Sequence, residues 1–209
     1  ALMFALQAAL LGLSYTGDVF NIFVMLELAS TAGYSLIAFP LTRKSLRAAL
    51  RYAVLGYSSG VIFFIAAVMF YNALGTLNIG HAALMVSGIE PVLGRSASAY
   101  TSVRFILFIM LWSLLVESAI APLHFWLPEA YAYTVPSTAA YMAAVAEGVG
   151  IYLIARLYYT TLGDLSIEAN YTMLLLSMIT IIVGAFGMLF SDDVGKVIAY
   201  STVMDMGYA

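Results

Sequence analysis

Residues 114–156 read L-L-V-E-S-A-I-A-P-L-H-F-W-L-P-E-A-Y-A-Y-T-V-P-S-T-A-A-Y-M-A-A-V-A-E-G-V-G-I-Y-L-I-A-R. The stretch begins as an apolar helix that carries one acid, Glu117, and is then interrupted by three prolines at positions 122, 128 and 136. It resumes as a second apolar helix that carries Glu147. A carboxylate in hydrocarbon is costly unless it is protonated, paired or hydrated. Two acids beside a broken helix therefore indicate an ion path.

The composition indicates a membrane protein. Hydrophobic residues make up 64% of the chain and charged residues 9%, with a mean hydropathy of +1.00, whereas soluble domains carry about 25% charged residues. Several apolar runs reach the length of about 18 residues that spans a bilayer, so we predict an all-α, polytopic transmembrane helix bundle. The net charge of −3 gives no reason to expect a nucleic-acid partner. Without cysteine or a phosphate-binding loop, no cofactor is expected.

The apolar runs and their polar boundaries define the predicted helices. A short interfacial helix is expected over 79–86, and a polar turn around Asp164 and Glu168. Four of the eight basic residues lie in the turn at 40–51, which is therefore predicted to be cytoplasmic, although Arg95 and Arg104 then fall outside. The spanning segments are predicted over 1–13, 18–39, 46–72, 104–160 (the broken pair), 171–190 and from 196 onward.

An internal repeat is visible in the sequence. Residues 12–19 (G-L-S-Y-T-G-D-V) align without a gap with residues 187–194 (G-M-L-F-S-D-D-V). By the predicted helix count an odd number of spans separates the two copies, so they are expected to have opposite orientations, as in transporters with inverted repeats. We therefore expect one transmembrane domain over 1–209, part of a longer protein, with a first repeat over about 1–160 and the start of a second over about 171–209.

Four acids, Glu27, Glu117, Glu147 and Asp205, lie deep in the predicted helices. They lie about 13 to 20 Å past Asp18, Arg104, Pro136 and Asp193, near the starts of their predicted helices, at the rise of an α-helix, which is about half or more of the hydrocarbon thickness. No lysine or arginine lies at a comparable depth. We expect the acids to form a relay that takes up and releases protons or holds a cation in transit, with Glu27 and Glu117 titrating as a pair that shares a proton.

A purely structural role for the acids is the alternative. Each acid would then be protonated and hydrogen-bonded to a polar neighbour on its own helix. The neighbours at helical spacing are Ser30, Thr31 and Tyr34 for Glu27, and Ser113 for Glu117.

Two histidines and three other aromatic residues are also considered as site residues or membrane anchors. His124 lies in the break, where it would relay protons to the cytoplasm, or else cap a helix or pack within the turn. His81 is expected to be structural. Trp126, Tyr158 and Tyr159 are expected to be anchors at the membrane interface.

Five segments together carry a resemblance to a known family. The proline-broken block at 121–130 (A-P-L-H-F-W-L-P-E-A) is the most specific, and the others are 18–28 (D-V-F-N-I-F-V-M-L-E-L), 75–78 (G-T-L-N), 152–156 (Y-L-I-A-R) and 199–203 (A-Y-S-T-V). The chain resembles the antiporter-like subunits of respiratory NADH:quinone oxidoreductase, membrane-bound hydrogenases and Mrp-type sodium/proton antiporters. The Phe-Asn-Ile-Phe block favours the Mrp D-type and hydrogenase members.

The resemblance implies about fourteen spans in two inverted five-helix repeats, of which this chain would supply the fourth to the start of the tenth. It also implies a row of charged residues at mid-membrane, in which a fifth-helix glutamate, matched by Glu27, lies beside a seventh-helix lysine. That lysine position is occupied here by Glu117. The eighth-helix lysine position falls on Gly148, beside Glu147, and the lysine-arginine pair near the tenth helix reads Gly195-Lys196, with Asp205 further on.

The function implied is that of a membrane subunit that conducts protons or exchanges them for cations. Its partners would be other membrane subunits of a multisubunit complex, the lipid bilayer, and H⁺ or Na⁺, and its location would be a prokaryotic plasma membrane. Any redox catalysis would lie in partner subunits. Two alternatives remain open: a non-conducting scaffold that anchors a redox module, which the replacement of the lysine by Glu117 favours, and an unrelated small-solute transporter.

Overall fold

The computed structural model describes residues 1–89, 98–163 and 167–209, so Arg95 and Asp164 lie outside the described residues. The predicted all-α bundle is confirmed, because within these ranges the chain is helical and its strand-like pairing is confined to one isolated bridge between Asp18 and Asn78. The helices are α1 (Leu2–Tyr15), α2 (Val19–Ala38), α3 (Arg43–Leu74), α4 (Ile79–Val86), α5 (Ser98–Glu117), α6 (Leu127–Tyr133), α7 (Pro136–Tyr141), α8 (Glu147–Leu162), α9 (Ile167–Leu189) and α10 (Val194–Tyr208).

Side-chain caps define where several helices begin. The Asp18 carboxylate accepts from the Asn21 N–H at 2.9 Å, Thr42 forms a capping box with Ser45, and Asp193 accepts from the Gly195 N–H at 2.8 Å. Each cap satisfies a backbone donor that the first turn of a helix leaves free. Because Thr42 caps α3, this helix begins three residues before the predicted residue 46, so the four basic residues lie on the helix rather than in a turn. Glu168 likewise lies in the first turn of α9, not in the predicted polar turn.

Four of the described helices are long and apolar enough to cross a membrane. The α7–π–α8 segment counts as one of them, and α1 is a shorter apolar helix. The four are Val19–Ala38, Arg43–Leu74, Pro136–Leu162 and Ile167–Leu189.

The proline-containing segment is a chain of short helices. A 3₁₀ turn, Leu123–Trp126, follows the end of α5 and leads into α6 and α7, which begin near Pro128 and at Pro136. Proline suits the first turn of a helix, where its missing N–H leaves no bond unmade. A π-helical segment, Met142–Ala146, then joins α7 to α8, so that Glu147 is the first residue of α8.

Contacts among the helix ends and turns at each end of the bundle agree with the predicted alternation of the two membrane sides. The turn before α2 pairs with the turn before α4, where Val19 N–H donates to Leu77 O at 2.9 Å. At the opposite end, Lys44 and Lys196 both lie over the Tyr133 ring, at 5.0 and 5.9 Å from its centroid. Arg104, which departs from the positive-inside pattern, bonds Glu168 at 2.8 Å. The assignment of the basic end to the cytoplasm stays a prediction.

The two aligned segments share a packing feature. Each copy has a glycine at which an added Cβ would meet a side chain thirteen residues later: Met25 for Gly12, and Tyr200 for Gly187. Asp18 and Asp193 cap the following helices at matching positions of the two copies. The inverted relation of the two repeats stays a prediction.

Gly184 lets α9 and α10 approach closely. A Cβ at this position would lie 2.7 to 2.8 Å from the Cβ, Cα and N of Met204, so Gly184→Ala forces the helices apart. We expect this change to lower the free energy of unfolding by about 1 to 3 kcal/mol, the usual cost of overpacking. Thermal melting of the purified protein measures it.

The matched control is Gly148→Ala on the exposed face of α8, where a Cβ meets nothing within 4 Å. There the loss of glycine's flexibility in the unfolded chain should raise stability by about 0.5 to 1 kcal/mol. Equal effects of the two alanines would contradict this account of the α9–α10 contact.

Candidate functional site

Glu117 stands at the C-terminal end of α5, where side chains from two other helices hold its carboxylate. The hydroxyl of Ser30 on α2 and that of Tyr52 on α3 donate to Oε2 at 3.2 and 3.3 Å. Two neutral hydroxyls satisfy the acceptor without supplying a counter-charge.

The broken segment fixes one of these donors in place. The ring of Tyr52 stacks on Trp126 with 3.9 Å between centroids and 8° between planes. Trp126 in turn donates from Nε1 to the Val116 carbonyl at 3.0 Å. Trp126 is buried, so its predicted role as an interface anchor is wrong, as is that of buried Tyr158, whereas Tyr159 is exposed. Trp126 instead connects the 3₁₀ turn to α3, through its stacking on Tyr52, and to the end of α5, through its bond to the Val116 carbonyl.

Glu27 and Glu117 lie over consecutive turns of the same face of α3. The carboxylate of Glu27 occupies the space that a Cβ on Gly60 would take, and Glu117 Oε1 lies 3.7 Å from the Cβ position of Gly56. Gly56 and Gly60 are one turn apart, or about 6 Å along the helix axis. The predicted proximity of Glu27 and Glu117 is therefore present, and Gly60 provides the room for the Glu27 carboxylate.

The same-helix partners predicted for these acids are wrong. Ser30 bonds Glu117 rather than Glu27, and the Ser113 hydroxyl donates to the Ser59 carbonyl at 2.7 Å rather than to Glu117. The reason is close helix packing, which brings hydroxyls on α2, α3 and α5 nearer to the neighbouring helix than to their own next turn. Among the described residues, no hydrogen bond or ion pair to the Glu27 carboxylate is found.

Glu147 is the most deeply buried acid of the described chain, at 2% exposure. The Tyr131 hydroxyl donates to its Oε1, and its Oε2 is buried with no hydrogen-bond partner among the described residues. The carboxylate directly follows the π-helical segment, and such segments are frequent at functional sites.

Glu117 and Glu147 share a cavity of about 30 Å³. Its polar lining consists of these two acids with Ser30 and Tyr52, and the rest is apolar side chains of α1, α2 and α8 and the π-helical segment, together with Gly150. A polar cavity of this size holds a water molecule. The arrangement can thus pass a proton between the acids through water, or hold a small cation on several oxygens.

The remaining predicted residues do not join this cavity. His124 lies in the 3₁₀ turn, buried at 6% exposure, with its ring 4.5 Å from that of Phe125 and its Nδ1 without a partner among the described residues. It makes no capping bond to the 3₁₀ turn or to α6. Asp205 is exposed on α10. His81 lies in α4, and its backbone N–H donates to the Asn78 side chain at 3.0 Å; the structural role of its side chain stays a prediction.

Two tyrosines of the site were not predicted. Tyr52 precedes Gly56 and Gly60 at a constant spacing of four residues, a periodicity that places all three on one helix face and could have indicated it. Tyr131 gave no comparable signal, because its bond to Glu147 joins residues sixteen positions apart on either side of the α6–α7 break.

Known membrane proteins are similar to this chain in both sequence and fold. The family described as NADH:quinone oxidoreductase/Mrp antiporter, TM, matches residues 16–209. NADH-quinone oxidoreductase subunit N of Desulforudis audaxviator is 34% identical over 210 residues, covering 100% of this chain and 40% of the relative. A subunit of a probable K⁺/H⁺ antiporter of Rhizobium meliloti is 33% identical, covering 97% of this chain and 37% of the relative.

A solved structure shows the same fold. In the membrane-bound sulfane sulfur reductase, an archaeal respiratory membrane complex, one chain superposes with a TM-score of 0.88 at 28% identity, covering 99% of this chain and 41% of that one. The chain therefore spans about two fifths of the length of the proteins that it matches. With the family matched over almost all of its residues, the chain belongs to the NADH:quinone oxidoreductase/Mrp antiporter transmembrane family.

Proposed function

We propose that this chain is part of an antiporter-like membrane subunit that conducts protons, or exchanges them for cations, along a row of buried and half-buried carboxylates. The observation that carries the proposal is the cavity that Glu117 and Glu147 share. Placing two acids in the interior without a described basic partner costs free energy of desolvation. A function in which both acids exchange ions accounts for that cost.

The row begins with Glu27 and Glu117. Their carboxylates lie against Gly60 and Gly56, close enough for the charge on one to disfavour the charge on the other. The pair would hold one proton or one cation in common. A proton arriving at Glu27 would therefore favour ionisation of Glu117, which is the coupling that a relay needs.

The next transfer runs from Glu117 to Glu147. Water in the cavity and the hydroxyls of Ser30 and Tyr52 can each donate and accept, so a proton can cross without a charged side chain having to move. Glu147 Oε2 is free of protein partners among the described residues, while Tyr131 holds Oε1 in position.

His124 and Asp205 extend the proposal in two directions. The buried ring of His124, with an unpartnered Nδ1 in the described chain, would link the site to the predicted cytoplasmic side. Asp205, exposed on α10, would serve the second repeat rather than this cavity. Among the described residues, no contact joins either one to the carboxylate row directly.

The partners are inferred from the relatives. The two relatives are described as subunits of an oxidoreductase and of an antiporter, and the solved structure is that of a respiratory membrane complex. We infer that this chain assembles with other membrane subunits in a prokaryotic plasma membrane, and that any redox chemistry takes place in those partners.

The scaffold alternative rests on Glu117 itself. An acid in place of the family's lysine removes the lysine–glutamate pair that the family resemblance implies. If conduction has been lost, Glu117 would only need to be neutral and hydrogen-bonded, and its exact chemistry would not affect ion flux.

Replacing the acids tests conduction. Glu27→Gln, Glu117→Gln and Glu147→Gln should each lower proton flux at least about tenfold in vesicles containing the purified protein, because a relay fails when one station cannot exchange a proton. Flux is measured with an internal pH dye.

Glu168→Gln is the matched control, since this acid lies at a helix end in an exposed ion pair with Arg104. It should leave flux unchanged. Full flux in all three glutamine variants would support the scaffold alternative.

The glycine positions test geometry without removing a charge. Gly60→Ala should displace the Glu27 carboxylate and reduce flux, while the protein stays folded because a flexible side chain can move aside. Gly56→Ala should have little effect, because its Cβ would lie at ordinary contact distances, 3.5 Å from the Tyr34 ring and 3.7 Å from Glu117 Oε1. The reverse order of effects would show that Gly60 does not position Glu27.

Glu117→Lys tests the ion. If sodium is held between the carboxylates, a lysine ammonium will repel it, and the sodium dependence of flux should disappear while proton flux persists. Sodium uptake and pH change are followed in the same vesicles. Sodium dependence that survives the lysine would place the cation elsewhere.

A further inference from the structure

An apolar groove of about 410 Å³ lies between α3 and the 3₁₀ turn, apart from the carboxylate cavity. Arg51 also lines it. Phe125, which forms one side, is 68% exposed although His124 and Trp126 on either side of it are buried. The other lining residues are Leu50, Val54, Leu55 and Trp126. A groove of this composition on a membrane-spanning helix has the surface properties of a binding site for a hydrocarbon chain.

Basic side chains lie directly beyond one end of the groove. Arg47 is three and four residues before Leu50 and Arg51, so helical periodicity places it over the groove, one turn nearer the start of α3. Arg43 lies one further turn along the same face, and both are exposed. Positive charge therefore lies at one end and apolar surface at the other.

The acids near the groove do not neutralise this charge. Glu129 bonds Arg51 at 2.6 Å, which satisfies one guanidinium. Among the described residues, Arg43 and Arg47 have no acidic partner. Two guanidinium groups thus remain available for an external anion, and guanidinium binds phosphate well through paired donors.

The distances match an amphipathic ligand. Arg47 is seven residues before Val54, or about 10 Å along the helix. Arg47 would meet a headgroup at the membrane surface while Val54 and Phe125 contact the first part of an acyl chain. Basic pockets on transmembrane proteins bind anionic headgroups in this way.

We propose that this groove binds an anionic phospholipid, with its phosphate on Arg43 and Arg47 and an acyl chain along Leu50, Val54 and Phe125. Charge complementarity favours a lipid over a helix of another subunit, since an apolar helix would leave both guanidinium groups unpaired. The proposal does not depend on ion conduction.

Trp126 provides the test, because it lines the groove and the chain has only one other tryptophan. With Trp112→Phe in place, the protein is reconstituted in phosphatidylcholine vesicles that contain increasing fractions of dibrominated phosphatidylglycerol or, separately, dibrominated phosphatidylcholine. Bromine quenches tryptophan at short range, so a lipid in the groove that Trp126 lines will quench it although its ring is buried. We expect half-quenching at a several-fold lower fraction of the glycerol lipid.

Three further variants make the test specific. Arg47→Gln should reduce the preference for the glycerol lipid about fivefold, the effect of one basic residue near an anionic surface. Val54→Trp, placed in the Trp112→Phe, Trp126→Phe background, should itself be quenched with the same preference, because Val54 lines the same groove. Lys44→Gln is the matched control, since Lys44 belongs to the same basic cluster but contacts Tyr133.

Four results would overturn the proposal. One is equal quenching by the two brominated lipids, and another is an equal loss of preference in Lys44→Gln and Arg47→Gln. A third is absence of the preference at Val54→Trp. The last is protection of Trp126 from both lipids by a co-purified subunit, which would assign the groove to a protein partner.

Discussion

One buried carboxylate, Glu147, and two half-buried ones, Glu27 and Glu117, constrain the interior of this bundle. Hydrocarbon and close-packed helices provide no water to solvate a charge, and none of the described basic residues pairs with Glu27, Glu117 or Glu147. The surroundings are arranged accordingly. Gly60 on α3 leaves room for Glu27, hydroxyls donate to Glu117 and Glu147, and a small cavity joins the latter two.

The family resemblance implies a lysine where this chain has Glu117, and an acid there would change how the site works as well as the sign of its charge. A lysine beside Glu27 would form an ion pair whose making and breaking moves charge. Two acids repel when both are ionised, so in the proposed relay the coupled states would differ by one shared proton or cation rather than by an ion pair that opens. The neutral donors Ser30 and Tyr52 suit such a pair, because they bond a carboxyl group in either protonation state.

The fold class and the acids themselves could be predicted from the sequence, because apolar length and charge in hydrocarbon are local properties. Helix starts were predicted less well: α3 begins earlier than its apolar run because Thr42 caps it. Partners between helices could not be predicted, since Ser30 and Tyr52 reach Glu117 across 87 and 65 residues of chain. Trp126 was misplaced at the membrane interface because sequence does not show that Tyr52 stacks on it.

The π-helical segment before Glu147 makes the site sensitive to chain length. Residues 142–146 fit one more residue into a turn than an α-helix does. Removing a single residue there would restore the α-helical repeat and rotate everything after it by about 100° around the axis. Glu147 would then still be present, but its side chain would face away from Tyr131 and from the cavity. The direction in which the Glu147 side chain points is therefore set by the number of residues between Pro136 and Glu147, because each residue turns the helix by about 100°.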